Sequence, residues 1–230
     1  MEQPPRKTVQ RVRHELRMRE VSVARIETVG EHFASITFQG EALADFVSLS
    51  FDDHVKFMFD GADGVQVRRD YTPRRFSAAA RALTLEFALH GDGAASNWAR
   101  QARVGQKVIV GGPRGSMIVP MAFDWYLLAG DSTALPAMRR RLEELPAGSR
   151  VIVVAAADAG DRLPFAGAAQ PEVHWVEDDD ALVERVRTLA LPEGAGFAWG
   201  AGEAAAMRRL RAVLAEERKR ARQALHPRKR

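Results

Sequence analysis

Between residues 83 and 90 apolar and polar side chains alternate. Leu83, Leu85, Phe87 and Leu89 share one parity, and Thr84, Glu86, Ala88 and His90 the other. A period of two is that of a strand with one buried face. Residues 21–26, 34–38 and 54–59 are similarly short, rich in β-formers and separated by Gly or Asp turns. Several such strands at close spacing predict a small antiparallel barrel. The pattern changes near 121–124. Residues 125–129, 151–157, 173–176 and 197–200 are almost wholly apolar, and helical stretches at 134–145, 181–189 and 203–214 fall between or after them. Apolar strands alternating with helices predict a parallel sheet covered on both faces. The chain therefore divides into a basic N-terminal segment (1–15), an antiparallel β-barrel domain (16–120) and an α/β domain with a basic tail (121–230).

Composition narrows the chemistry. With 230 residues, 46% of them hydrophobic, the chain can build one large domain or two small ones. No apolar run approaches the roughly 18–20 residues of a membrane span. The basic first 19 residues lack the apolar stretch of a secretory signal, so a cytoplasmic location without membrane insertion is expected. Cysteine is absent, which excludes disulfides, thiolate-bound metals and iron–sulfur clusters. The six histidines show no metal-ligand spacing, so no metal site is expected and any redox chemistry must come from a bound organic cofactor. A net charge of +4 favours anionic partners without choosing among nucleic acid, nucleotide cofactors and small polyanions.

Four clusters could carry chemistry. Arg69-Asp70-Tyr71-Thr72 opens a basic stretch that runs on through Pro73, Arg74 and Arg75. A phenol ring can stack on an isoalloxazine, a hydroxyl can bond its polar edge, and an arginine can fork onto a phosphate. An exposed basic turn with a packing tyrosine would read the same way. His90, Gly93, Ala94, Ala95 and Ser96 end a strand and open a helix. The helix start can receive a pyrophosphate, or Ser96 can simply be its N-cap. Asp131, Ser132, Thr133 and Ala134 directly follow the apolar strand 125–129, where Ser132 or Thr133 can cap a helix whose start faces a dinucleotide phosphate. Trp199, Ala201, Gly202 and Glu203 end another apolar strand, and the glycines there allow close approach of a nicotinamide or its ribose. Each cluster alone is equally an ordinary turn.

Their order says more. Together with Phe51-Asp52-Asp53-His54-Val55-Lys56 and Gly112-Pro113-Arg114-Gly115-Ser116, the series resembles the siderophore-interacting family of FAD-binding reductases over residues 12–214. It departs at Ser132, where the family often has Glu, and in lacking Gly-Pro before Ala95-Ser96. The resemblance implies a ferredoxin-reductase-like fold, with a flavin-binding barrel followed by an NAD(P)-binding domain. It implies that Arg69, Asp70, Tyr71 and Thr72 hold FAD, with His90 and Gly93–Ser96 at its pyrophosphate. It places Asp131–Ala134, Trp199, Ala201, Gly202 and Glu203 at NADPH or NADH. The implied activity is reduction of a ferric siderophore by a cytoplasmic monomer.

Ferric siderophore complexes are commonly polyanionic, which makes Lys56 and Arg222 the candidate substrate cations. Lys56 alternates with Val55 and Phe57, which places it on the outward face with His54 and Met58. Arg139, Arg140, Arg141, Arg208 and Arg209 read as exposed helix residues that could favour NADPH through its 2′-phosphate. Two other readings stay open: a flavin reductase with a different acceptor, and a module gripping nucleic acid through its basic tail. The absence of a nucleic-acid motif, and of aromatics among the tail's cations, argues against the last.

Overall fold

The computed structural model describes residues 7–61 and 64–225, the stretch 217–225 as helical backbone only. The described residues form two compact units. The first takes in the chain through Ala122 together with Pro136–Leu145 and Gly160–Gly167, and the second takes in Phe123–Leu135, Pro146–Ala159 and the chain from Ala168 onward.

The first unit holds nine strands: β1 (Gln10–Arg13), β2 (Met18–Val29), β3 (Phe33–Gln39), β4 (Val55–Asp60), β5 (Gln66–Tyr71), β6 (Arg75–Ser77), β7 (Ala82–Ala88), β8 (Lys107–Gly111) and β9 (Gly115–Ile118). Seven form an antiparallel sheet in the order β5-β4-β8-β2-β3-β7-β6, while β1 pairs separately with β9. The expected apolar face of β7 is present, with Leu83, Leu85 and Phe87 fully buried, but its other face is not simply exposed, since Glu86 is 7% accessible. The sheet curls so that Tyr71 on edge strand β5 comes within 4.3 Å, ring to ring, of Phe87 on β7. That closure makes the barrel, and its core is aromatic: Phe38, Phe57, Phe59 and Phe87 surround Trp98. Trp98 lies on helix α1 (Ala94–Gln101), so burying one indole docks the helix onto the barrel. A large side chain so buried stabilises by roughly 2–3 kcal/mol. The loop 160–167 adds Asp161, whose carboxylate accepts the N–H groups of Glu31 and His32 and holds the β2–β3 turn.

The first unit also takes in helix α2 (Leu135–Glu144) from Pro136 onward. Here one expectation is overturned. Arg139, Arg140 and Arg141 are not exposed; they are 6%, 7% and 2% accessible. Each guanidinium finds acceptors on the barrel or its loops, which offsets much of the desolvation cost of burial, although Arg139 Nη2 is left without a partner. Arg208 and Arg209 are exposed as expected, with Arg209 paired to Asp180 at 2.6 Å.

The second unit is a parallel sheet of β10 (Trp125–Gly130), β11 (Val151–Ala156), β12 (Glu172–Val176) and β13 (Gly196–Ala201), in the order β12-β11-β10-β13. Helices α3 (Asp179–Thr188) and α4 (Ala204–Leu225) pack on it through Leu182, Val183, Val186, Leu210 and Val213. All of β10 and β11 is buried, as their unbroken apolar sequence predicts. No helix of the described residues is long and apolar enough to cross a membrane.

Candidate functional site

In the first unit the residues 69–75 are only partly a turn: Arg69, Asp70 and Tyr71 end β5, and Arg75 begins β6. Tyr71 is half-buried, its ring edge-on to Phe57 at 5.8 Å and tilted against Phe87 at 4.3 Å. Burial pushes its phenol up to about 12, with Arg69 opposing, so the group stays a neutral hydroxyl at physiological pH. Arg69 is exposed and donates to the Arg68 carbonyl at 2.8 Å. Thr72 is half-buried, and the next residues are anchored: the Arg74 N–H donates to the Thr84 carbonyl at 2.9 Å.

The second cluster sits on the same aromatic core. Trp98 of α1 contacts Phe57 at 4.7 Å and Phe87 at 5.6 Å, the two rings that Tyr71 touches. The core thus sets the end of β5 and the middle of α1 against the same two rings. Gly93, not Ser96, is the N-cap, and no side chain accepts a hydrogen bond there. Ser96 lies one turn inside, 7% accessible, with a buried hydroxyl that has no partner. A Cβ built on Gly93 would meet nothing within 4 Å, and Ala94 beside it is exposed. Uncapped N–H groups, an orphaned hydroxyl and small side chains fit an anionic group such as a pyrophosphate. Sequence reasoning missed Arg100 and Asn97, which hold the approach loop. Arg100 donates to the carbonyls of Gly91 (3.0 Å) and Leu89, and Asn97 to that of Asp92 (3.2 Å). An arginine one turn beyond Asn97 was the available signal. His90 is exposed, edge-on to Phe33 at 6.0 Å.

In the second unit the third and fourth clusters meet at the carboxyl ends of adjacent strands. Gly130 of β10 is paired with Ala201 of β13. The strand order reverses at this pair, β10 being followed in sequence by β11 on its other side, and such a reversal is where open α/β sheets take ligands. Asp131, rather than Ser132 or Thr133, is the cap of the 3-10 turn Ser132–Ala134. One of its oxygens accepts from the Thr133 N–H (2.8 Å) and hydroxyl (2.5 Å), and the other from the Glu203 N–H (3.1 Å). Gly202, at φ +150°, is required here, since a Cβ would come within 2.7 Å of the Asp131 carboxylate. Glu203 in turn accepts the N–H groups of Ala205 (2.5 Å) and Ala206 (3.2 Å) at the start of α4. Trp199 is buried at 8% and Ala201 half-buried beside these turns. Asp178 caps α3 through the Ala181 N–H at 2.8 Å. The chain's own carboxylates therefore fill helix ends that could otherwise face phosphate, and they crowd one another. Burial, then the charges of Asp131 and Glu203, hold the Asp179 carboxyl above its usual range.

Lys56 is exposed on β4 and pairs with Asp70 at 2.7 Å, each side chain half accessible. Met58 shares that strand face, its methyl lying over Gly111, but it is covered rather than exposed, being 2% accessible. The pairings Met18↔Gly111, Lys56↔Gly111 and Lys56↔Asp70 set Lys56 in a row across β2, β8, β4 and β5. Gly111 leaves the row open where a Cβ would strike the Met18 sulfur at 2.8 Å and the Met58 methyl at 3.1 Å. The two further motifs join each other: buried Asp53 accepts the hydroxyls of Ser48 (2.8 Å) and Ser116 (2.7 Å). Arg222 lies in the last turns of α4, outside the residues whose side chains the structure describes.

Two family models match the chain. One described as a siderophore-interacting FAD-binding domain covers residues 22–68 and 60–117, and one described as siderophore-interacting protein covers 123–228. The NADPH-dependent ferric-chelate reductase of Escherichia coli (strain K12) is 34% identical over 226 residues, covering 87% of this chain and 88% of the relative. The ferric vibriobactin reductase ViuB of Vibrio cholerae is 26% identical over 216 residues, covering 82% of this chain and 80% of its own length. A siderophore utilization protein from T. fusca superposes with a TM-score of 0.85 at 31% identity, covering 91% of this chain and 90% of that one.

Proposed function

Because the chain belongs to the siderophore-interacting protein family, we propose that it is an NADPH-dependent, FAD-containing reductase of ferric siderophores. The observation that carries the reading is the start of α1: uncapped N–H groups and the orphaned Ser96 hydroxyl, on the same aromatic core as Tyr71. In this reading Arg69, Tyr71 and Thr72 hold the flavin, Asp70 keeps the neighbouring cation in place, and Gly93, Ala94, Ala95 and Ser96 cradle the diphosphate, with His90 at its approach. Bound FAD supplies the conversion of a two-electron donor into one-electron reduction of iron. The nicotinamide dinucleotide is taken at Asp131–Ala134 with Trp199, Ala201, Gly202 and Glu203.

One NADPH gives up two electrons and reduces two ferric complexes to ferrous, leaving NADP⁺ and a proton. Hard oxygen ligands hold ferrous iron less tightly, so the metal is released. Lys56 is the cation offered to the polyanionic substrate, which must compete with Asp70 for the ammonium group. Placing positive potential there stabilises the reduced, more negative complex. The protein acts as a monomer in the cytoplasm, with no nucleic acid as partner.

Anaerobic stopped-flow mixing with NADPH and then NADH, followed at the flavin absorbance band, tests the reading. Bleaching of a yellow protein, and recovery on adding a ferric siderophore, is expected. A colourless protein that takes up no FAD would overturn it. Lys56→Ala is expected to slow ferric-siderophore reduction about tenfold with FAD content intact; wild-type rates with catecholate complexes would remove the role given to Lys56.

A further inference from the structure

Successive helix residues point about 100° apart, so Arg139, Arg140 and Arg141 of α2 sweep an arc of about 200°. All three are buried, and each meets a different part of the first unit. Arg139 donates to Glu86 at 3.0 Å, and Arg141 to the carbonyls of Val119 (3.3 Å) and Pro120 (3.4 Å). Arg140 goes to the residue that follows Tyr71-Thr72. Its Nη1 donates to the Pro73 carbonyl at 2.9 Å and to the Ser48 hydroxyl at 2.7 Å, and its Nη2 to the Ser48 carbonyl at 3.1 Å. Its Nε donates to Glu144 at 2.8 Å. The turn replies to the same helix: Arg74 forks onto Glu143 with Nη1 at 2.8 Å and Nη2 at 2.5 Å.

We propose that Arg140 is a positioning residue for the flavin turn, setting through the Pro73 carbonyl where Tyr71 and Thr72 stand. This rests on the reading of Tyr71 and Thr72 as flavin contacts. The planar guanidinium carries the argument. It spans two backbone carbonyls at once, so the separation of segments 48 and 73 is fixed by a rigid fork rather than by a flexible chain. The cation is buried, so each donor must keep its acceptor or bear the cost of desolvation, and the carbonyls are held where they are. The Arg74–Glu143 pair locks the other side of the same turn to α2. A lysine at 140 would carry the charge but could not bridge both carbonyls.

The test is FAD affinity of the full chain, read by quenching of flavin fluorescence, in Arg140→Lys and Arg141→Lys. Arg141→Lys is the comparison because it removes a buried guanidinium on the same helix whose Nη2 donates to the Val119 and Pro120 carbonyls rather than to residues 71–73. Arg140→Lys is expected to raise the Kd for FAD about tenfold, and Arg141→Lys by less than about twofold, whatever their shared loss of thermal stability. Equal Kd values for the two variants, or a wild-type Kd in Arg140→Lys, would overturn the proposal. Should Arg140→Lys fail to fold, Glu143→Gln loosens the turn from its more accessible side. It is expected to raise the Kd about threefold, and an unchanged Kd would again overturn the proposal. A wild-type chain that takes up no FAD defeats the flavin reading itself, and this inference with it.

Discussion

The two units handle their polar groups in opposite ways. In the first, opposite charges are buried together on the outer face of the barrel: Glu86, 7% accessible, lies between Arg74 at 3.2 Å and Arg139 at 3.0 Å. The turn at the start of α1 is meanwhile left with donors unfilled. In the second, charges of one sign crowd the open ends of the strands, and the helix starts are already satisfied by Asp131, Asp178 and Glu203. A site with vacant donors and a rigid surround suits a ligand that stays bound. A site that must give up its own hydrogen bonds suits one that comes and goes. Under the proposed function, that contrast would make the flavin the resident cofactor and the nicotinamide the transient one.

The largest test strikes the buried charges. Glu86→Gln keeps the shape but leaves two guanidiniums without their shared carboxylate. Removing one partner from a buried ion pair costs about 3–5 kcal/mol. Urea unfolding should show a fall of about 3 kcal/mol, and a fall below about 1 kcal/mol would mean that the barrel face is better hydrated than its burial suggests.

Next comes Ser96→Ala, which should move two measurements in opposite directions. Removing a buried hydroxyl without a partner relieves desolvation, so the FAD-free protein should be as stable or up to about 1 kcal/mol more so. FAD affinity should drop about tenfold. If affinity is unchanged, the orphaned hydroxyl is not a ligand for the cofactor.

How much of this contrast the sequence displays depends on what fixes each feature. The parallel strands are legible because β10 and β11 are buried on both faces and read as unbroken apolar runs. Half the barrel is not. β5, Gln-Val-Arg-Arg-Asp-Tyr, is an edge strand with mostly exposed side chains, and only its pairing with β4 makes it a strand. β6 and β9 are three and four residues long and carry no period to detect. Helix α4 outruns the expected 203–214 because its basic turns are helical without an apolar face to announce them. At the site, residue types were readable and roles were not. Ser96 looks like a cap until the backbone at Gly93 takes that place, and Ser132 and Thr133 look like caps until Asp131 reaches both neighbouring turns. The arginine triplet was misplaced because its acceptors, Glu86, Pro73 and Val119, are distant in sequence.

A smaller effect is expected at Asp131. Asp131→Asn keeps an acceptor for Thr133 but loses the one for the Glu203 N–H, and it removes one negative charge. At about 8 Å in a water-like medium one charge is worth about 0.5 kcal/mol. The KM for NADPH should therefore fall about twofold to threefold at low ionic strength, an advantage that salt erases. A rise in KM would mean that the carboxylate holds the dinucleotide rather than repelling it.

The smallest effect has the sign opposite to that of Glu86→Gln. Asp179 holds its proton more tightly in the folded chain than its ordinary value of 3.8, through burial and through the charges of Asp131 and Glu203, partly offset by Arg209. The folded state therefore binds more protons than the unfolded one across the interval just above 3.8, and stability declines as pH rises through it. By neutral pH the whole penalty is present. Asp179→Asn removes it, although it also gives up a carboxylate that the start of α3 favours. The expected net gain is about 2 °C in Tm at pH 7, vanishing toward pH 3 where the wild-type group is protonated in both states. A gain that persisted undiminished at pH 3 would show that it comes from helix capping or packing. The crowding of like charges at the strand ends would then have no energetic consequence.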